Sequence, residues 1–102
     1  MGLAFTHCNA QWSYGGFHNF RERLVAESLR CDPFPHDEPI FGLIAHSDCD
    51  GNLTPEQCLT IAPRLRELVA RWPAGDWDRL MAETLATGME TAAACNESLW
   101  FI

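Results

Sequence analysis

Twelve residues, His46–Gln57, constrain this chain more than any others; they read HSDCDGNLTPEQ. Asp50-Gly51 is a turn dipeptide, because glycine reaches positive φ without steric cost. Thr54-Pro55-Glu56-Gln57 has the form of a capping box. In that motif the Thr54 hydroxyl accepts from the Gln57 amide, and the Gln57 side chain returns to the Thr54 amide. Pro55 falls at the first helical position, where a missing N–H costs nothing, and Glu56 complements the helix dipole. Any fold of this chain must turn near Gly51 and start a helix at Pro55.

The same letters support a chemical reading. Acids at alternate positions, a glycine after the third ligand position and an apolar Leu53 two residues later resemble an EF-hand calcium loop over about a dozen residues. The resemblance places His46, Asp48, Asp50, Asn52 and Gln57 as metal ligands. It departs from the family at both ends: His46 takes the first ligand position, and Gln57 stands where a bidentate Glu is expected. Calcium prefers charged oxygens, so the implied binding is weak. A softer alternative joins His46, Cys49 and Cys58 as a zinc site, its fourth ligand coming from Cys8, His7 or Cys31. A Cys49–Cys58 disulfide fits the same spacing. The structural alternative to all three is a capped turn with solvated acids.

A chain of 102 residues makes one domain, here taken as 1–102, long enough to bury a modest core. With 47% apolar and 11% aromatic residues it is not disordered. It has no apolar run long enough to span a membrane, and the sequence predicts no signal peptide. Five cysteines in that context point to a reducing cytoplasm. The net charge is −7 and every basic residue is arginine. That balance disfavours direct binding to phosphate backbones, which needs a basic patch. It suits an acidic surface meeting a basic protein partner.

In chain order, Leu3–His7 alternates like a short strand, and Cys8–Gln11 reads as a connection. Ser13 caps a helix with Phe17, Phe20, Leu24 and Ser28 or Leu29 on its inner face. Arg30–Pro39, RCDPFPHDEP, is an acidic, proline-rich loop. Ile40–Ala45 is a short helix ahead of the Asp50-Gly51 turn. Cys58, Ile61, Ala62, Leu65, Leu68, Val69 and Trp72 form one stripe running through Pro63. Asp76 caps a last helix whose inner face is Trp77, Leu80, Met81, Thr84, Leu85, Gly88, Met89 and Ala92, and Asn96 ends it. The small Gly88, Ala92 and Ala93 predict close helix–helix contact. Ser98–Ile102 reads as a strand pairing with Leu3–His7. The predicted fold is α+β and mainly helical: three main helices, one short helix and a small antiparallel ribbon of the two terminal strands.

The chain has no glycine-rich phosphate loop, no nucleophile elbow and no HExxH. A cysteine nucleophile, Cys49 or Cys8, remains chemically conceivable. His7 and Cys8, being adjacent, would point to opposite faces of a strand and form no dyad. The FxxCxAxWSYxGFxxFRxRL pattern near the N-terminus, HSDCDGNLTPEQC, APRLRELV and the terminal LWF together resemble small proteins of actinobacteria and their phages. That resemblance covers most of the chain and transfers no catalytic residue. The sequence therefore predicts a small acidic interaction or regulatory module whose polar loop at His46–Asn52 makes contact. A weak divalent-metal protein (calcium or zinc) is the first alternative and a small cysteine-dependent enzyme the second. No resident cofactor is expected.

Overall fold

The structure, a computed structural model, describes residues 2–30, 38–44 and 51–102. Four helices and four short strands follow one another as β1 (Gly2–Ala4), β2 (Gln11–Ser13), α1 (Tyr14–Leu29), α2 (Phe41–Ile44), β3 (Asn52–Leu53), α3 (Pro55–Val69), α4 (Trp77–Ala94) and β4 (Leu99–Trp100). The class is α+β and mainly helical, as the sequence predicts. The central part of the proline-rich loop and the residues from Ala45 to Asp50 lie outside the described residues.

Local signals set the helix starts. Ser13 Oγ accepts from Gly16 N at 3.0 Å and opens α1. Both halves of the predicted capping box open α3, and Asp76 accepts from Arg79 N to open α4. Pro63 lies inside α3 without ending it. At the far end of α4, Asn96 adopts φ 56°. Its N–H donates to Ala93 O at 3.0 Å, and Glu97 N–H donates to Ala92 O at 2.8 Å. This paired closure satisfies carbonyls that a helix end otherwise leaves open.

The strands are richer than a single terminal ribbon. The termini do pair, through a Phe5–Phe101 bridge flanked by Ile102 N–H to Ala4 O at 2.9 Å and Thr6 N–H to Trp100 O at 3.0 Å. In addition β1 pairs antiparallel with β2, in register Leu3 to Trp12. On the other side β4 pairs antiparallel with β3, Leu53 opposite Leu99. The bridge joins both ribbons, so the strands run in the spatial order β2–β1–β4–β3. A two-stranded ribbon is marginal by itself. Adding the segment that had read as a connection, and the two residues between Gly51 and the α3 cap, satisfies more backbone groups.

The core lies between this sheet and the helices. Phe5, Trp12, Phe17, Phe20 and Phe101 form a continuous aromatic cluster, with Trp12 stacked on Phe20 at 4.6 Å between centroids. The α3 stripe is buried as predicted, from Cys58 through Trp72. On α1, Ser28 is buried and Leu29 exposed. The predicted inner face of α4 needs correction at its start. Trp77 and Leu80 are exposed, and the buried face is Ala82, Leu85, Ala86, Gly88, Met89 and Ala92. Three of these six are alanines, and small side chains let two helix axes approach. Gly88 serves a different neighbour than predicted. A Cβ there would stand 2.7 Å from Cys8 Cβ, so the glycine makes room for the chain between β1 and β2.

One polar interaction crosses the interior. Glu38, with no side-chain exposure, receives Arg64 Nη2 at 2.6 Å and Nε at 2.9 Å. Ser28 Oγ donates to it at 2.6 Å, and Ile40 N donates at 3.2 Å. Arg64 lies on α3 and Ser28 on α1, so the carboxylate ties both helices to the entry of α2. The guanidinium hydrogen bonds outweigh burial and hold the Glu38 carboxyl down at about 2.

Candidate functional site

The described half of the organising loop follows its local grammar. Gly51 has φ 95°, and its carbonyl accepts from Phe101 N at 3.0 Å. Asn52 stands opposite Trp100 in the β3–β4 ribbon. Gln57 Oε1 accepts from Thr54 N at 2.9 Å, while Thr54 Oγ1 accepts from Gln57 N at 3.2 Å. The oxygen that the EF-hand pattern assigns to a metal is therefore engaged in capping α3. Asn52 and Gln57 are placed; His46, Asp48 and Asp50, the other residues of that set, lie outside the described residues. Among the described residues no group of three or more His, Cys, Asp or Glu could hold a metal ion.

Of the soft set, Cys58 alone is described. It is fully buried in the core, with Sγ 3.8 Å from Leu53 O. It is a free thiol, so the Cys49–Cys58 disulfide is not formed. Burial pushes the thiols of Cys58 and Cys8 upward, so both are predominantly protonated at neutral pH. An activated nucleophile needs the opposite shift. Cys8 packs against Gly88, whereas His7 turns the other way. His7 adopts φ 70° and places Nε2 2.9 Å from Glu97 Oε1 and Nδ1 2.8 Å from Thr6 Oγ1. Thr6 Oγ1 itself accepts from Trp100 N at 2.9 Å. His7 and Cys8 lie in the turn after Phe5 rather than on the predicted Leu3–His7 strand, and their side chains meet different partners, Glu97 and Gly88. The histidine clamps the chain after β1 to the end of α4.

The surface feature that sequence reasoning missed lies at the other end of the sheet. Trp77 is 51% exposed and Leu80 47% exposed, three residues apart on the first turns of α4. Trp77 meets Trp12 edge to face at 6.0 Å, and Trp12 Nε1 donates to Asp78 Oδ1 at 3.1 Å. Beside Trp77 a groove of about 450 Å³ runs over Leu3, Ala4, Gln11 and Ser13. A second hollow of about 400 Å³, over Ala4, Cys8, Asn9 and Gln11, shares two of those residues. Both hollows are lined by residues of β1 as well as β2, so they lie over that ribbon. The acids nearest Trp77, Asp76 and Asp78, share the single guanidinium of Arg23, at 3.1 and 2.8 Å. Arg23 in turn lies 3.8 Å above the Trp72 ring.

Periodicity could not have found this groove. Trp77 and Leu80 satisfy the same three-residue spacing as buried positions, yet both stand half exposed in the fold. No family model, curated protein or solved structure matches this chain. Among the described residues no helix is long and apolar enough to cross a membrane.

Proposed function

We propose that this protein is a small acidic interaction module, working in the cytoplasm, that takes a basic protein partner in the groove beside Trp77. The observation that carries the reading is Trp77, half exposed and lining a hollow rather than folded into the core, with Leu80 half exposed three residues on. Tryptophan is enriched among residues that dominate binding energy, because it offers a large rigid surface at low entropic cost. The net charge of −7 favours a basic partner over nucleic acid or an anionic membrane. The polar loop at His46–Asn52 is proposed as a second contact. The test is a photo-crosslinking amino acid at position 80, with position 59, an exposed leucine on α3, as control. A discrete adduct in cells from position 80 alone is expected. Equal labelling from both positions, or none, would overturn the reading.

A second reading, weak divalent-cation binding at the loop, draws support from the positive φ of Gly51 followed by a strand and a capped helix. Gln57→Glu keeps the capping box and adds a carboxylate. Calcium at millimolar concentration should raise the melting temperature of that variant more than that of the parent. Identical responses would remove the metal reading.

A further inference from the structure

We infer that β2 is an open docking edge, which takes an extended, positively charged segment of the partner as an added antiparallel or parallel strand. This rests on the interaction reading above and specifies how the partner binds. Backbone alternation supplies the geometry. Ala4 directs both its N–H and its carbonyl to Ile102, at 3.1 and 2.9 Å, away from β2. Successive residues of a strand point their backbone polar groups to opposite edges. Leu3 and its register partner Trp12 therefore face one another, and Gln11 and Ser13 turn their amides outward. Neither amide, nor the Gln11 carbonyl, makes a backbone hydrogen bond to another described residue outside its own strand. Both residues are exposed.

An open edge is a template for another strand, and proteins usually blunt it with lysine, proline or a covering element. No lysine or proline stands among Asn9–Ser13. Gln11 lines both hollows, so the edge adjoins them. From Gln11 to Ser13 the strand covers roughly 10 Å at about 3.3 Å per residue, so the edge suits a segment of about three residues. Main-chain pairing would supply affinity, and alternate side chains entering the groove against Trp77 would supply selectivity. Charge chooses the occupant. Two carboxylates share one guanidinium beside Trp77, on a chain of net charge −7, so a second copy is repelled and a basic segment attracted.

The experiment uses the full chain and a blocked hexapeptide of alternating arginine and valine, with a glutamate–valine peptide as the charge control. Nuclear magnetic resonance should show the Gln11 and Ser13 amides shifting, with their hydrogen exchange slowed by about tenfold or more. Methylating alternate peptide amides should abolish the protection, as should Gln11→Pro, a change tolerated at strand edges. If Gln11→Pro fails to fold, the methylated peptide still decides the matter. A shift of the Trp77 indole without amide protection would overturn strand addition and leave the interaction reading standing. No response to millimolar peptide would also overturn strand addition, and crosslinking at position 80 would then judge the interaction reading separately. Equal binding of the acidic peptide would overturn the choice of a basic partner. A dimer of the protein alone with the same amides protected would make a second copy the occupant, and would equally overturn it.

Discussion

The α3–α4 hairpin and the four-stranded sheet are held together by contacts of very different reach. In the hairpin, each helix carries its own start signal three residues from the amide it caps, at Thr54 and at Asp76. In the sheet, Phe5 meets Phe101, and His7 meets Glu97 across ninety residues of chain. A local cap can form before the rest of the molecule exists, whereas a terminal pairing requires most of the fold in place. The hairpin should therefore resist single substitutions at its ends, and the sheet should fail as a unit.

The largest effect expected is from deleting Leu99–Ile102. Leu99 and Phe101 are buried, while Trp100 and Ile102 are exposed. Two buried side chains at about 1.5–3 kcal/mol each, with the strand hydrogen bonds on both sides, put the loss at several kcal/mol. Chemical denaturation measures it. Slow amide exchange at Leu3–Thr6 persisting in the truncated chain would show that the sheet does not depend on its last strand.

Next comes Glu38→Ala, which takes the buried carboxylate from Arg64 and leaves Glu67 as its ion-pair partner, and should cost toward the lower end of about 3–5 kcal/mol. Its effect depends on pH in a defined direction. The folded carboxyl titrates near 2, below its ordinary 4.5, so its contribution is complete above about pH 4.5 and disappears as the pH falls toward 2. Glu38→Gln should accordingly show a flatter stability profile between pH 5 and 2.5 than the parent, within the range of the shift. Parallel profiles would mean that the pair contributes nothing to acid sensitivity.

Gly88→Ala tests where the two regions touch. The added Cβ meets Cys8 at 2.7 Å, so a loss of about 1–3 kcal/mol from overpacking is expected. Cys8→Ala in the same chain should recover part of it, and a simple sum of the two effects would deny the contact. Smallest is Thr54→Ala, at about 1 kcal/mol for the lost cap. Calorimetry showing an unchanged melting temperature would remove the cap from the account of α3.

Much of the helical architecture was legible because its determinants are close together. Thr54 and Gln57, Ser13, Asp76 and Asn96 each do in the fold what their local chemistry predicts. The stripe from Cys58 to Trp72 was legible for the same reason: helical spacing places it on one face despite Pro63. The start of α4 was misread, since Trp77 and Leu80 obey the spacing yet are half exposed in the fold. The β1–β2 pairing was missed because three residues are too short for alternation to stand out from a connection. Glu38 gave no signal at all: an acid in a proline-rich stretch looks solvated until Arg64 and Ser28 converge on it from two helices.

The sequence by itself determined the class of fold, the caps, the glycine turn, and the acidic, lysine-free surface that any partner would meet. These are properties of short windows and of composition, where the energies involved act within one or two turns of chain. Tertiary structure alone decided the strand order, the burial of the Glu38–Arg64 pair, the space for Cys8 at Gly88 and the groove beside Trp77. Each of those depends on which surfaces are brought together over tens of residues, and apolar burial is non-directional: it demands that a side chain be covered without saying by what.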